Sequence, residues 1–113
     1  MTTTSRDVYK LILTKNLEVL PGQVFESKPV NVNGRNKMTF LAICDNAFNM
    51  TIQWSYDGAT DWLNVENAVA IPGTANTLLR ITLDDVFSYL RVTVQNNGAG
   101  PGNGTVSAWS LSL

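Results

Sequence analysis

The sequence predicts an all-β chain, a single antiparallel β-sandwich of about eight strands in jelly-roll-like or immunoglobulin-like order. Three observations carry this expectation. No long segment repeats its apolar residues at the 3.6-residue period of a helix. Short alternating or wholly apolar runs recur instead, and Gly, Pro, Asn and Asp cluster between them, where turns need them. A chain of 113 residues is long enough for one domain, residues 1–113, with a core of its own.

The first strand is expected over residues 8–14, "VYKLILT", with residues 1–7 ahead of it as an arm that is flexible or ordered by a partner. After a turn at Pro21-Gly22 comes "QVFESKPVNV", residues 23–32, and a second turn around Gly34. In "MTFLAIC", residues 38–44, both alternating sets are apolar, which suits a strand covered on both faces or central in the sandwich. Residues 49–56, "NMTIQWSY", alternate cleanly. Met50, Ile52, Trp54 and Tyr56 share one face, and Thr51, Gln53 and Ser55 the other.

The stretch "WSYDGATDW" then folds as a hairpin, with Asp57-Gly58 supplying the positive-φ element. Trp62 opens the return strand, residues 62–66, and is expected to pack back into the core across from Trp54 or Tyr56. A turn at "IPGTAN" around Gly73 leads to residues 77–83. In "YLRVTVQ", residues 89–95, Leu90, Val92 and Val94 point inward while Tyr89, Arg91 and Thr93 point out. The Gly-rich run from Gln95 to Gly104 reads as a flexible loop tip, and no helix follows it, so it is not a phosphate cradle. In the last strand, residues 105–113, Val106 and Ala108 are out of phase with Trp109, Leu111 and Leu113. A bulge near Ala108 or Trp109, or a second packed face, would reconcile them.

Composition narrows the function. Charged residues make up 15%, against roughly 25% in typical soluble domains, so Asn, Thr, Ser and Gln must build most of the solvated surface. Net charge is −1, and the basic residues form no run of the kind that nucleic acid requires. The N-terminus lacks the layout of a signal peptide, and no apolar run approaches a membrane span, so synthesis in a cytoplasm is expected, without membrane contact. Two Asn-x-Thr sequons, at Asn49 and Asn103, are the chance product of an Asn/Thr-rich chain.

Catalytic groups are scarce. With no histidine, the usual triads and most zinc sites have no basis. Cys44, the one cysteine, lies in an apolar run and reads as a small buried hydrophobe. Asp84-Asp85 reads as a solvated turn, and Asp45, Asp57, Asp61 and Glu66 match no EF-hand spacing. The expectation is a protein that is not an enzyme and uses no cofactor.

From residue 50 to residue 113 the chain resembles two groups. The hairpin Ser55, Asp57, Gly58, Trp62 with the strand Tyr89, Arg91 is similar to the Ser-x-Asp-Gly hairpin of discoidin-like (coagulation factor 5/8 type C) modules. The chain is shorter than those modules, its Trp lies one residue further from the Gly, and their terminal cysteine pair is absent. In length, low charge and Asn/Thr/Gly richness it also resembles the small β-sandwich decoration (cement) and accessory virion proteins of tailed bacteriophages.

The second resemblance implies a structural protein of the virion that binds between capsomers and stabilises the head. Its partners would be the major capsid protein and itself, as a homotrimer. The alternatives are a carbohydrate- or receptor-binding module, in which Tyr56, Trp62 and the 95–104 loop hold a glycan, and a tail or baseplate subunit. Candidate contact residues are Tyr9, Tyr56, Thr60, Asp61, Tyr89, Arg91 and Asn97.

Overall fold

The computed structural model describes residues 7–32, 37–84 and 88–112, and the side chains of these apart from 7–17 and 106–112. Ten strands follow one another: β1 (Asp7–Val19), β2 (Val24–Glu26), β3 (Val30–Asn31), β4 (Lys37–Cys44), β5 (Phe48–Ser55), β6 (Leu63–Asn64), β7 (Ile71–Gly73), β8 (Leu79–Asp84), β9 (Tyr89–Asn96) and β10 (Gly102–Ser112). One sheet has the order β1-β10-β4-β8. The other has β9 and β5 at its centre, with β2 and β3 along the outer edge of β9 and β6 and β7 along that of β5. All pairings are antiparallel.

The short strands are two interrupted edges. Where β2 gives way to β3, the Ser27 amide donates to the Val92 carbonyl (2.8 Å), and the Val92 amide donates to the Ser27 hydroxyl (2.9 Å). A side-chain oxygen thus takes the place of a ladder carbonyl. Between β6 and β7 the chain turns out of the ladder and back. Val65 donates to Ile52, Ile52 to Ala68 and Ala68 to Val65, and Ala68 is fully buried.

Treating each interrupted edge as one strand exposes a nested order. The first strand pairs with the last (β1 with β10), the second with the second-to-last (β2/β3 with β9), the third with β8 and β5 with β6/β7. This is jelly-roll topology. Immunoglobulin order, which lays its first two strands in one sheet, does not apply.

The core lies between the sheets and is closed. Met38, Phe40, Ala42 and Cys44 project into it from β4, Phe48, Met50 and Ile52 from β5, and Leu90, Val92 and Val94 from β9. Burial of each large apolar side chain contributes about 1.5–3 kcal/mol. Cys44 is buried and free, as its apolar run implies. The alternation expected for β9 is seen in full, with Tyr89, Arg91 and Thr93 outward and half-buried.

Several expectations need correction. Residues 23–32 are two strands rather than one, because Ser27 leaves the ladder ahead of Pro29. "IPG", expected as a turn, pairs with β5 as β7. β4 is interior to its sheet but covered on one face only, since Leu41 is half-buried and Ile43 is exposed. The last strand has no bulge at Ala108 or Trp109: the register between β10 and β4 is unbroken from Gly104 to Trp109. The shifts lie opposite, in β1, between Ile12 and Thr14 and between Thr14 and Leu17. They let β1 follow β10 to Val19, well past the expected end at residue 14.

The Gly-rich run is also tied down rather than free. β9 extends to Asn96 and β10 starts at Gly102. The buried Asn96 amide donates to the Val19 carbonyl (2.7 Å) and the Gly100 carbonyl (3.0 Å), and its oxygen accepts from the Gly98 amide (2.8 Å). Asn46 donates to Gly100 at 2.7 Å. A β-carbon on Gly98 would sit 2.6 Å from Asn46 Cγ, so this glycine is set by close approach. Residues 1–6, the turn around Gly34, Asp85 and Phe87 lie outside the described residues.

Candidate functional site

The outward face of the six-stranded sheet gathers most of the polar and aromatic candidates. Register decides its membership. Gln53 lies opposite Arg91, Ser55 opposite Tyr89, Thr51 opposite Thr93, Asn64 opposite Gln53 and Glu26 opposite Thr93. Residues directly opposite on antiparallel strands share a face.

Across that face runs one polar row spanning four strands. Glu26 on β2 pairs with Arg91 Nη1 on β9 at 2.7 Å. Arg91 Nε donates to Gln53 Oε1 on β5 at 2.8 Å, and Gln53 Nε2 donates to Asn64 Oδ1 on β6 at 2.9 Å. The Arg91 side chain is only 20% exposed against 55% for Glu26, so the guanidinium is partly desolvated while its counter-ion stays wet. Such a half-exposed pair contributes about 1 kcal/mol or less. Its larger effect is to fix the register of four strands.

Trp62 joins this row. The Arg91 guanidinium carbon lies 4.4 Å from the Trp62 ring centroid, a cation–π contact. The expectation that Trp62 packs into the core against Trp54 or Tyr56 is therefore corrected. Leu63, not Trp62, sits opposite Trp54 in the ladder. Trp62 falls on the outward face, half-buried beneath Arg91. Trp54 instead meets Tyr56, just past the end of β5, edge to face, with centroids 4.9 Å apart and planes at 87°.

The hairpin tip closes one end of the face. Asp57 Oδ1 accepts from the Ala59 and Thr60 amides (both 2.9 Å), and Oδ2 accepts from the Thr60 hydroxyl (2.8 Å). Those donors, the backbone ones foremost, hold the Asp57 carboxyl well below the usual carboxylate range. Ser55, fully buried, shares its one hydroxyl proton between the Thr60 carbonyl (2.5 Å) and Asp57 Oδ1 (2.9 Å). Gly58 has φ +75°, as expected, and a β-carbon there would lie 2.9 Å from the Tyr89 ring. The backbone at Gly58 therefore approaches the Tyr89 ring closely.

Of the seven expected contact residues, five lie on the outward face or in the hairpin that follows β5. Tyr89 and Arg91 lie on the outward face, and Tyr56, Thr60 and Asp61 on the tip that borders it. Tyr56 is 75% exposed. Asn97 is exposed but follows the opposite end of β9, roughly 25 Å from Tyr89 at ordinary strand rise. Tyr9 belongs to the other sheet, paired with Ser110, and its side chain lies outside those described. Sequence reasoning missed Glu26, Gln53 and Asn64. The outward alternation of Gln53 was visible, but its partners were not.

In chemical terms the arrangement is saturated. Asp57 spends its oxygens on its own loop, Glu26 is paired, and Tyr89 and Trp62 each have a ring face covered by protein. Among the described residues, no three His, Cys, Asp or Glu side chains converge as metal ligands would. Among the described residues, two shallow hollows are lined by Glu18, Val19, Gln23, Val24, Phe25 and Glu26 (about 220 Å³) and by Thr39, Leu41, Leu78, Arg80 and Thr82 (about 390 Å³). Neither holds a converging acid–base pair.

No family model and no curated protein matches the chain. Among solved structures it is similar to the PBSX exported protein XepA, at a TM-score of 0.73 and 16% identity, over 92% of this chain. It is similar also to PirA, at a TM-score of 0.53 and 14% identity, over 97% of this chain and 96% of that one. The chain spans 37% of the length of XepA, so the likeness is to part of that protein. At these identities the shared property is the fold.

Proposed function

We propose that this chain is a non-enzymatic, phage-related assembly module, and that its role is to decorate the capsid by binding the major capsid protein between capsomers. The observation that carries this reading is the closed interior. Apolar side chains fill the space between the sheets, and the polar groups at the surface are satisfied by one another, which favours rigid surface docking over chemistry in a pocket. The likeness to XepA, a phage exported protein, supports the phage setting. The covered faces of Trp62 and Tyr89 and the internally bonded 95–104 run weigh against a glycan platform.

The test is to follow a tagged chain through a phage infection or induction. Decoration expects the protein to co-sediment with heads and to rebind heads stripped of it, raising their resistance to heat. Recovery only on tails, or only free in the medium, would overturn the decoration role and leave the broader phage reading standing. Specific retention on a glycan array, with no binding to particles, would overturn both.

A further inference from the structure

The four edges of this sandwich are not alike. β2/β3 is interrupted at Ser27 and flanked by Pro29, β6/β7 is interrupted and contains Pro72, and β1 carries two register shifts. Interruptions, prolines and bulges are the devices that keep sheet edges from pairing with other chains. β8 has none of them. It runs in unbroken register against β4 from Leu79 to Asp84, and among the described residues nothing pairs with its other side.

The side chains of β8 show what would complete it. Leu79, Ile81 and Leu83 face the core but stay only partly buried, whereas Met38, Phe40 and Ala42, opposite them on β4, are 0–2% exposed. The core is thus thinly covered along this edge. On the outward face Arg80, Thr82 and Asp84 are exposed, beside Leu78 at 50% and Ile43 at 39%.

We propose that β8 pairs antiparallel with β8 of a second copy, about a two-fold axis at Thr82, and joins two four-stranded sheets into one continuous sheet. Facing parity requires outward residues to meet outward residues. Of the registers that satisfy it, the one centred on Thr82 sets Arg80 against the second copy's Asp84, twice by symmetry. It also sets Ile81 against Leu83, twice, covering the thin edge of both cores. Asp84, already 3.4 Å from Lys37, then lies between two cations. A two-fold contact of this kind closes at two copies, in place of the trimer that the resemblance to decoration proteins implies. It does not depend on the phage reading.

Charge exchange tests the pairing. Sedimentation velocity across a concentration series should show a monomer–dimer equilibrium for the unaltered chain, weakened by salt. Arg80→Asp and Asp84→Arg should each weaken self-association by about tenfold or more, since each turns two attractive cross-strand pairs repulsive. An equimolar mixture of the two variants should dimerise again, because every facing pair is then opposite in sign, and the double variant R80D/D84R should dimerise alone. Circular dichroism and melting confirm that each variant is folded.

A monomer at all concentrations, a mass of three copies, undiminished association of the single variants, or failure of the folded mixture to associate would each overturn the proposal.

Discussion

Asp57 shows how one side chain organises a hairpin tip. Its carboxylate accepts from two backbone amides and two hydroxyls within its own loop, and these donors favour the charged form. A folded-state pKa lowered in this way adds stability that is fully present above the unfolded carboxylate value. That stability is lost as pH falls through the unfolded value toward the folded one. Asp57→Asn should therefore melt below the unaltered protein at neutral pH, with the gap narrowing as pH drops below about 4. Paired melting curves from neutral to acid pH check this, and a gap independent of pH would remove the carboxylate from the account. Trp62 makes a second case. Half-buried beneath Arg91, it should cost about 1–2 kcal/mol when changed to alanine, rather than the roughly 3–5 kcal/mol of a fully buried aromatic. Urea denaturation distinguishes the two values.

At the scale of elements, the interrupted edges carry the argument. The Ser27 hydroxyl serves the Val92 amide where the β2 ladder breaks, and both groups are buried. Ser27→Ala leaves that amide without a partner in a dry place, at a cost of about 1–3 kcal/mol. Equilibrium unfolding would show the loss, and hydrogen exchange at Val92 would show where it originates. The strands themselves were largely legible in the sequence, because alternation in "YLRVTVQ" and "NMTIQWSY" directly encodes which face is apolar. The break at Ser27 was not legible, since its partner lies 65 residues away. β7 was hidden because Pro and Gly read as turn residues, although an edge strand tolerates both.

At the scale of the molecule, nested pairing turns an ordinary set of strands into a jelly roll with its interior filled. The outward face of the six-stranded sheet is a self-satisfied network that holds register across β2, β9, β5 and β6, and the aromatic residues near it are largely used in holding it. β8 differs because it is the straight edge over a thinly covered part of the core. The candidate site was half legible. Tyr89 and Arg91 were placed outward by alternation alone, and the Asp57-Gly58 tip by its turn chemistry.

By itself the sequence determined the all-β class, the inward and outward sets of the central strands, the positive φ at Gly58 and the burial of Cys44. Each follows from local pattern: a period of two, a turn dipeptide, or an apolar run. Only the tertiary structure decided that Trp62 meets Arg91 rather than the core, and that Asn96 ties down the Gly-rich run. It alone chose jelly-roll over immunoglobulin order and left β8 as the edge without a bulge or proline. Those outcomes depend on which strand becomes whose neighbour and in what register. That is settled by long-range pairing across the closed core, which no short window of sequence contains.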